Sequence, residues 1–557
     1  MSFKIADTST HRILFFSVWL LFALIQSALM PLSGEEAYYW LFSKALDWGY
    51  LDHPPAVAFF GRLGYELLEN ELGVRLFSSL LSVSTLWLIY DLIGRKGLRN
   101  FAFLAGGLLA VHAGSFLIKT DVPLLFFEVL FFWFYKRFLD RSNILNSLGI
   151  AFAIAGMFLS KYHGILVVLF TFISNWRLVK NQYFWVTVLF TIILMLPHLF
   201  WLIENDFSSL RFHLNGRSDI SFKWSNVLGY VGGQPLVLGP LVSIPMLFAL
   251  FRRKYTDAFS RALLFVLLGV LIFFFLQSFR VFIHKHWTSI VLVPLIILAF
   301  PVLENRQKLA VVFRRLARVS LVLLVLFRVY LIYDFVPKSL PIKTEPLHDW
   351  RDWAENVQEL SKGMNVVFIN SYENASRYQF YTGEPAHTLS TFYFNNTQFD
   401  YWGYEDYFRG EPVFVVHNKR GQDFYQTVDA PNGAQIHFRR FRQFNALDKI
   451  QVTPIAIELS EDKTQLIGKI KIKNPYDFDI LSSRREPVQL LLYSLKGERV
   501  LAERVLLSDL NIVSNGELIV NFEVVLPEIQ SDTQLRFSVS SGNLPGTINS
   551  ERIKVFI

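Results

Sequence analysis

The sequence predicts a polytopic α-helical membrane protein of about eleven spans, followed by a C-terminal extracytoplasmic region made of an α/β part and a β-sandwich. Three observations predict it. Hydrophobic residues fill 52% of the 557 positions against 18% charged, and phenylalanine alone occurs 55 times, a composition suited to burial in lipid. Apolar runs of bilayer-crossing length recur as far as residue 335. Beyond about residue 337 the texture turns polar, with Pro, Asn, Asp and short alternating runs.

The apolar segments lie at about 13–32, 73–93, 101–118, 122–139, 144–160, 163–176, 183–203, 226–250, 262–279, 287–303 and 316–335. The first follows Lys4, His11 and Arg12 as a signal peptide would, but it is about 20 residues long and no small-residue cleavage site follows it. It reads as a retained first span. Alternate loops carry Arg95, Lys96 and Arg99; Lys136, Arg137 and Arg141; Arg177 and Lys180; Arg252, Arg253 and Lys254; and Arg306, Lys308, Arg314 and Arg315. Their positive charge places the N-terminus in the cytoplasm, and an odd number of spans then places the C-terminus outside. The net charge of +8 resides in these short clusters and not along one polar face, so it reads as a topology signal, with no nucleic-acid partner. With no cysteine, disulfides and thiolate metal sites are excluded.

After the membrane part, "LHDWRDWAENVQELSKG" reads as a helix and "NVVFIN" as a strand, giving a small α/β unit. From about 446, "QLIGKIKIKN", "VQLLLYSLKG", "ELIVNFEVVL" and "QLRFSVSSG" alternate with period two, as strands of a sandwich do. The expected domains are 1–337, 338–445 and 446–557.

The polar residues that interrupt the apolar chain gather on the outer side. The loop between spans one and two holds Glu35, Glu36, Tyr38, Tyr39, Lys44, Asp47, Asp52 and His53, in a stretch suited to amphipathic helices at the interface. Lys119 and Asp121 occupy a tight turn, Lys161, Tyr162 and His163 another, and "RVFIHKHW" (280–287) precedes span ten. Tyr38, Tyr39 and Trp40 read first as interface anchors and Lys119 as a snorkelling side chain. Tyr38, Tyr39 and Tyr162 are also the candidates for substrate contact. Asp121 is harder to assign to structure, because a carboxylate between two spans is costly without a cation, cavity or ligand. A carboxylate at the water–lipid boundary loses hydration, which raises its pKa and makes it a better proton acceptor near neutral pH. Glu35, Glu36 and Asp121 are therefore the candidate catalytic acids; of the adjacent pair, one faces the reaction while the other orients it or pairs with a base. His53, Arg75, Lys161, Arg280 and Lys285 supply donors suited to phosphate, and phosphate at a membrane suggests a lipid-linked substrate. His284 and His286 could join the acids around a divalent cation, the one cofactor these residues leave open. An i, i+2 pair diverges on a helix, however, so no metal is assigned.

"GEEAYYWLFSKALDWGYLDHPPAVAFF", "ELGVRLFSSLL", "KTDVPLLFF", "LSKYHGILV" and "PHLFW" resemble, in that order, the membrane part of bacterial glycosyltransferases of family 39, across residues 12–335. That group includes protein O-mannosyltransferases and the enzyme that adds aminoarabinose to lipid A. "SYENASRYQFYTGEPAHTL" (371–389) resembles the outer domain of some relatives. The resemblance implies a C-type glycosyltransferase fold in a bacterial inner membrane, with its active site on the outer face. It implies a polyprenyl-phosphate sugar as donor, and a lipid, glycan or protein acceptor whose hydroxyl or phosphate attacks the anomeric carbon with inversion. The family's first-loop acid pair is usually Asp-Glu, and Glu35 stands at its Asp position; Asp121 matches the second acidic position. His53 stands where aminoarabinose-transferring relatives have Lys before Pro-Pro. His titrates near neutral pH, so phosphate binding there would be pH-sensitive.

Two other readings compete. A transporter or flippase of lipid-linked sugars has many spans too, but carries ionisable groups near the midplane or on broken helices, whereas these charges lie in outer loops. A carbohydrate-binding module on a passive anchor would use "STFYFNNTQFDYWGYEDYF" (390–408), yet an anchor needs one span.

Overall fold

The computed structural model describes residues 8–213, 222–335, 347–417, 426–460, 465–496, 499–525 and 533–554. The chain separates into two compact units, Met1–His348 and Asp349–Ile557. The expected boundary at 337 lies outside the described residues.

The first unit is helical: α1 (Ser9–Leu29), α2 (Gly34–Lys44), α3 (Ala56–Tyr65), α4 (Glu71–Leu92), α5 (Leu98–Gly107), α6 (Leu109–Gly114), α7 (Asp121–Asp140), α8 (Ile144–Ser160) and α9 (Gly164–Ser174). After these come α10 (Gln182–Glu204), α11 (Ser208–Arg211), α12 (Trp224–Leu238), α13 (Pro240–Leu250), α14 (Ala258–Ser278), α15 (Leu292–Asn305) and α16 (Gln307–Ile332). A 3₁₀ turn, Lys285–Val291, leads into α15. Short polar residues start several of these helices by accepting an orphan N–H: Asn70 from Gly73, Asn143 from Asn146 and Asp257 from Ser260.

Among the described residues, α1, α4, α10, α14 and Lys285–Asn305 are each long and apolar enough to cross a membrane, and α12 with α13 makes a sixth as a pair bent by 87°. The other five expected segments form helices that are broken, short or charged. α5 and α6 break at Leu108, α8 and α9 have 17 and 11 residues, α7 carries Glu128, Lys136 and Arg137, and α16 carries five Lys or Arg. Interior packing is close where small residues meet: a Cβ on Gly64 would come within 2.1 Å of the Gly73 carbonyl oxygen, so α3 crosses α4 backbone to backbone.

The second unit joins two lobes. In the first, α17 (Trp350–Ser361) precedes a sheet ordered β2-β1-β3-β5-β4, from β1 (Asn365–Ile369), β2 (Ala386–Leu389), β3 (Val413–His417), β4 (Gln426–Asp429) and β5 (Gln435–Phe441). β1 runs parallel to β2 and β3, and α18 (Tyr372–Thr382) makes the β1–β2 crossover within the 371–389 stretch. In the second, β6 (Gln451–Leu459), β7 (Gln465–Lys473) and β10 (Glu517–Val525) form one sheet. β8 (Val488–Lys496), β9 (Arg499–Leu507), β11 (Gln534–Ser541) and β12 (Ile553–Lys554) form the other. Their inward residues, Leu466, Ile470, Ile472, Leu490, Leu492, Leu535, Phe537 and Val539, fill the space between the sheets. The two lobes, expected as separate domains on either side of 445, interlock here. Leu544 enters the α/β core, the Tyr476 hydroxyl donates to Glu405 at 2.9 Å, and Arg536 donates to the Phe392 carbonyl at 2.7 Å.

Candidate functional site

At one end of the helical bundle, five elements converge: the C-terminus of α1, the first loop, the start of α4, the start of α7 with the residues before it, and the Lys161 turn. Ser33 and Glu36 form a reciprocal cap on α2. The Glu36 N–H donates to Ser33 Oγ at 3.4 Å, and the Ser33 N–H donates to Glu36 Oε2 at 3.0 Å. The cap folds the Glu36 carboxylate back toward the end of α1, where Arg75 meets it. Arg75 donates from Nε to Oε1 and from Nη2 to Oε2, both at 2.7 Å. Its other hydrogens go to the carbonyls of Ser27 (3.0 Å), Met30 (2.6 Å) and Pro31 (2.9 Å). The Ile118 N–H adds a bond to Glu36 Oε1 at 3.1 Å.

Both side chains are fully buried, and every guanidinium donor is engaged. Two sequence expectations change as a result. Arg75, expected at the donor phosphate, has no donor left for it and ties the first loop to α1 and α4. Glu36, expected to be a catalytic acid of raised pKa, is held below the usual carboxylate range. Burial alone would push it up, but the Arg75 charge and hydrogen bonds, with the Ser33 and Ile118 N–H groups, outweigh that. The Ser33-Gly34-Glu35-Glu36 spacing carried this signal, being that of a capping box.

Glu35, one residue away, points elsewhere. Its carboxylate is about half exposed and lies 3.4 Å from Lys119 Nζ. Asp121 opens α7 and accepts from Lys161 Nζ at 2.9 and 3.0 Å and from Ser289 Oγ at 2.6 Å, with Lys161 nearly enclosed. The carboxylate thereby joins α7, the end of α8 and the 3₁₀ turn. Arg280 and Lys285 are exposed, and neither side chain has a partner among the described residues. His284 and His286 face each other with rings 5.7 Å apart, and His163 packs between Phe274 and Trp287. Among the described residues no three His, Asp, Glu or Cys side chains are grouped to hold a metal ion.

Tyr38, Tyr39 and Trp40 are buried inside the protein at 2%, 6% and 7% exposure, so they are core residues and not lipid-interface anchors. Tyr38 packs on Phe42, whereas the Tyr39 hydroxyl lies 3.1 Å from His53 Nε2. The Tyr162 hydroxyl lies 3.3 Å from His198 Nε2 and 3.1 Å from Ser209 Oγ.

Sequence reasoning missed two features. His198, Ser209 and His213 approach the Tyr162 side of the site, and only "PHLFW" hinted at the first. Glu128 lies two turns below Asp121 inside α7, fully buried, with neither carboxylate oxygen partnered among the described residues. The expectation that ionisable groups are confined to the loops therefore fails at this residue, whose lone acid within "LLFFEVLFF" was the available signal.

Residues 52–201 match the family model described as dolichyl-phosphate-mannose-protein mannosyltransferase. The lipid A galacturonosyltransferase RgtD of Rhizobium johnstonii is 24% identical over 270 residues, which cover 45% of this chain and 56% of the relative; the match thus spans little more than half of that protein. The crystal structure of ArnT from Cupriavidus metallidurans in the apo state superimposes with a TM-score of 0.57 at 14% identity, over 77% of this chain and 98% of that one. The same protein bound to undecaprenyl phosphate gives the same values. The likeness read from the acid pair, the His-Pro-Pro and the later motifs is thus borne out, and the chain has the fold of the C-type membrane glycosyltransferases.

Proposed function

We propose that this protein transfers a sugar from a polyprenyl-phosphate donor to an acceptor hydroxyl or phosphate at the outer face of a bacterial inner membrane, inverting the anomeric carbon. The observation that carries the reading is the division of labour among the acids at this end of the bundle. Glu36 is locked to Arg75 and Asp121 to Lys161 and Ser289, while Glu35 is half exposed and, among the described residues, is held by an extended contact to Lys119 alone. Glu35 is the carboxylate free to take the acceptor's proton as the acceptor oxygen bonds to C1 and the C1–O bond to the departing phosphate breaks. Asp121, fixed by two partners, positions the acceptor or stabilises the positive character developing at the sugar.

Arg280 and Lys285, whose side chains have no partner among the described residues, suit the charge accumulating on the polyprenyl phosphate. A narrow, largely apolar cleft runs between Ser82, Thr85, Ile89, Val111, Val122 and Leu292, and its lining is chemically suited to part of a prenyl chain. The relatives support the substrate class: one acts on lipid A and one binds undecaprenyl phosphate.

A transporter of lipid-linked sugars draws support from the buried Glu128 and the bent α12–α13 pair. The deciding experiment offers purified protein radiolabelled polyprenyl-phosphate sugars with membrane extract as acceptor, in detergent and in proteoliposomes. Label appearing on an acceptor establishes transfer and identifies the acceptor class. Donor left unconsumed while labelled lipid crosses the vesicle membrane overturns the reading in favour of transport.

A further inference from the structure

Next to the Asp121–Lys161 pair the chain builds a second polar enclosure that the reaction scheme leaves unused. Tyr162 follows Lys161 directly, and its hydroxyl is clamped between His198 Nε2 at 3.3 Å and Ser209 Oγ at 3.1 Å. His198 is itself fixed. It is 1% exposed, its Nδ1 lies 2.6 Å from the Trp48 carbonyl, and its ring stacks on Trp201 at 7°. With Nδ1 donating to that carbonyl, Nε2 presents a lone pair toward the phenol, whose single hydrogen serves either it or Ser209 Oγ.

Trp201 donates its indole N–H to Asp47 at 2.8 Å, and a Cβ on Gly49 would fall 2.4 Å from the Trp201 ring, so the first loop lies flat on it. From the other side His213 packs edge-on to Tyr162 with rings 5.6 Å apart at 86°, its Nε2 held 2.9 Å from the Asp52 carbonyl. The His53 ring, bonded to Tyr39, lies 6.5 Å from that of His213. Tyr162, His213 and His53 are half-buried, whereas His198 and Ser209 are closed off behind them.

We infer that Tyr162, Ser209, His198 and His213 form the subsite for the sugar ring of the donor, a hydroxyl-bearing pyranose or furanose, and that they set which sugar is accepted. The hydrogen-bonding groups facing this enclosure are phenol, hydroxyl and imidazole. The phenol and the hydroxyl can each donate and accept, and each imidazole, with one nitrogen committed to a backbone carbonyl, leaves the other as an acceptor, a set that matches sugar hydroxyls. The exposed cations Arg280 and Lys285, which suit a phosphate, sit on or next to a different element, the turn before α15. The perpendicular Tyr162 and His213 rings offer an aromatic face for the C–H side of a sugar and a polar edge for its hydroxyls. Both rings are held by hydrogen bonds, so they act as rigid walls and discriminate by shape and by pairing.

The inference rests on the transferase reading, and the test separates the two. Undecaprenyl phosphate and a panel of undecaprenyl-phosphate sugars are titrated into full-length protein in detergent, for wild type, Tyr162→Phe and His213→Gln. Wild type that binds undecaprenyl phosphate but gains nothing from any attached sugar overturns the subsite. Wild type that binds neither overturns the transferase reading as well. With the subsite present, Tyr162→Phe weakens the sugar-bearing donor about 3- to 10-fold and His213→Gln about 10-fold, undecaprenyl phosphate binding changes less than 2-fold, and the preference among sugars shifts. Equal weakening of both ligands assigns these residues to the phosphate, and a change confined to the acceptor KM assigns them to the acceptor; either overturns the inference. Tyr162→Phe keeps the ring and its packing, so it remains informative if His213→Gln fails to fold.

Discussion

Replacing Arg75 with Met tests whether the Glu36–Arg75 pair holds the site together or serves the substrate. The substitution leaves the fully buried Glu36 carboxylate, among the described residues, with Ser33 and Ile118 as its donors, and strips donors from the carbonyls of Ser27, Met30 and Pro31. Breaking one partner of a buried pair costs about 3–5 kcal/mol. At about 4 kcal/mol, local opening of the first loop becomes roughly a thousandfold more frequent, since each 1.4 kcal/mol is a factor of ten.

Hydrogen exchange on the full-length protein in detergent reads this directly, in peptides covering residues 31–45 and 115–121. Both should lose protection together, because Glu36 bonds to Arg75 and to Ile118 at once. The double variant Glu36→Gln/Arg75→Met removes both charges and should recover at least half of the lost protection, since a buried pair replaced by uncharged groups is close to neutral. Unchanged exchange in Arg75→Met together with lost undecaprenyl phosphate binding would refute the reasoning and return Arg75 to the donor phosphate.

Three further predictions address other parts of the molecule. Lys161→Met leaves Asp121 with Ser289 as its hydrogen-bond partner among the described residues, and transfer should fall about 100-fold in kcat with donor affinity within 3-fold; a pure KM effect would show that Lys161 holds the donor instead. Arg280→Ala with Lys285→Ala removes the two exposed cations proposed for the phosphate, each worth about 1.5–3 kcal/mol as a charge-assisted bond, so the donor KM should rise at least 100-fold; an unchanged KM would place the phosphate elsewhere. In the second unit, His387 is enclosed by Phe399, Tyr404, Phe408 and Phe444, with no hydrogen-bond partner for either ring nitrogen among the described residues, and burial lowers its pKa from 6.5 to about 3. The unfolded chain therefore binds this proton first. The stability from a neutral His387 is complete above pH 6.5 and falls by about 1.4 kcal/mol per unit as pH drops toward 3, so His387→Phe should flatten the acid limb in hydrogen exchange of β2; an equally steep limb in the variant would assign it to other groups.

Much of this architecture is legible in the sequence because it depends on local pattern. The period-two runs after 446 became β7, β8, β10 and β11, and "NVVFIN" became β1, since alternation and turn residues decide strands without knowledge of partners. The acid pair was legible as a site, and its assignment was not. Which of two neighbouring carboxylates is buried depends on Arg75, 39 residues on, and on a backbone N–H at Ile118, 82 residues on. Only the Ser33–Glu36 cap spacing carried part of that answer locally.

Tyr38 and Trp40 looked like membrane anchors because aromatic residues beside a span usually are. Here α2 is covered by α3 and neighbouring loops, and composition cannot distinguish lipid from protein as the apolar surrounding. The Tyr162–His198–His213 enclosure was illegible for the same reason as the lock: its members come from three separate segments brought together by the bundle.

The account turns on Glu35 acting while Glu36 holds structure, and single-turnover sugar transfer by Glu35→Gln tests that most directly. The predicted result is a loss of 100-fold or more in the transfer rate, the range for removal of a general base, with donor affinity and loop protection unchanged. Transfer at the wild-type rate in Glu35→Gln would contradict it and move the proton acceptor to Asp121.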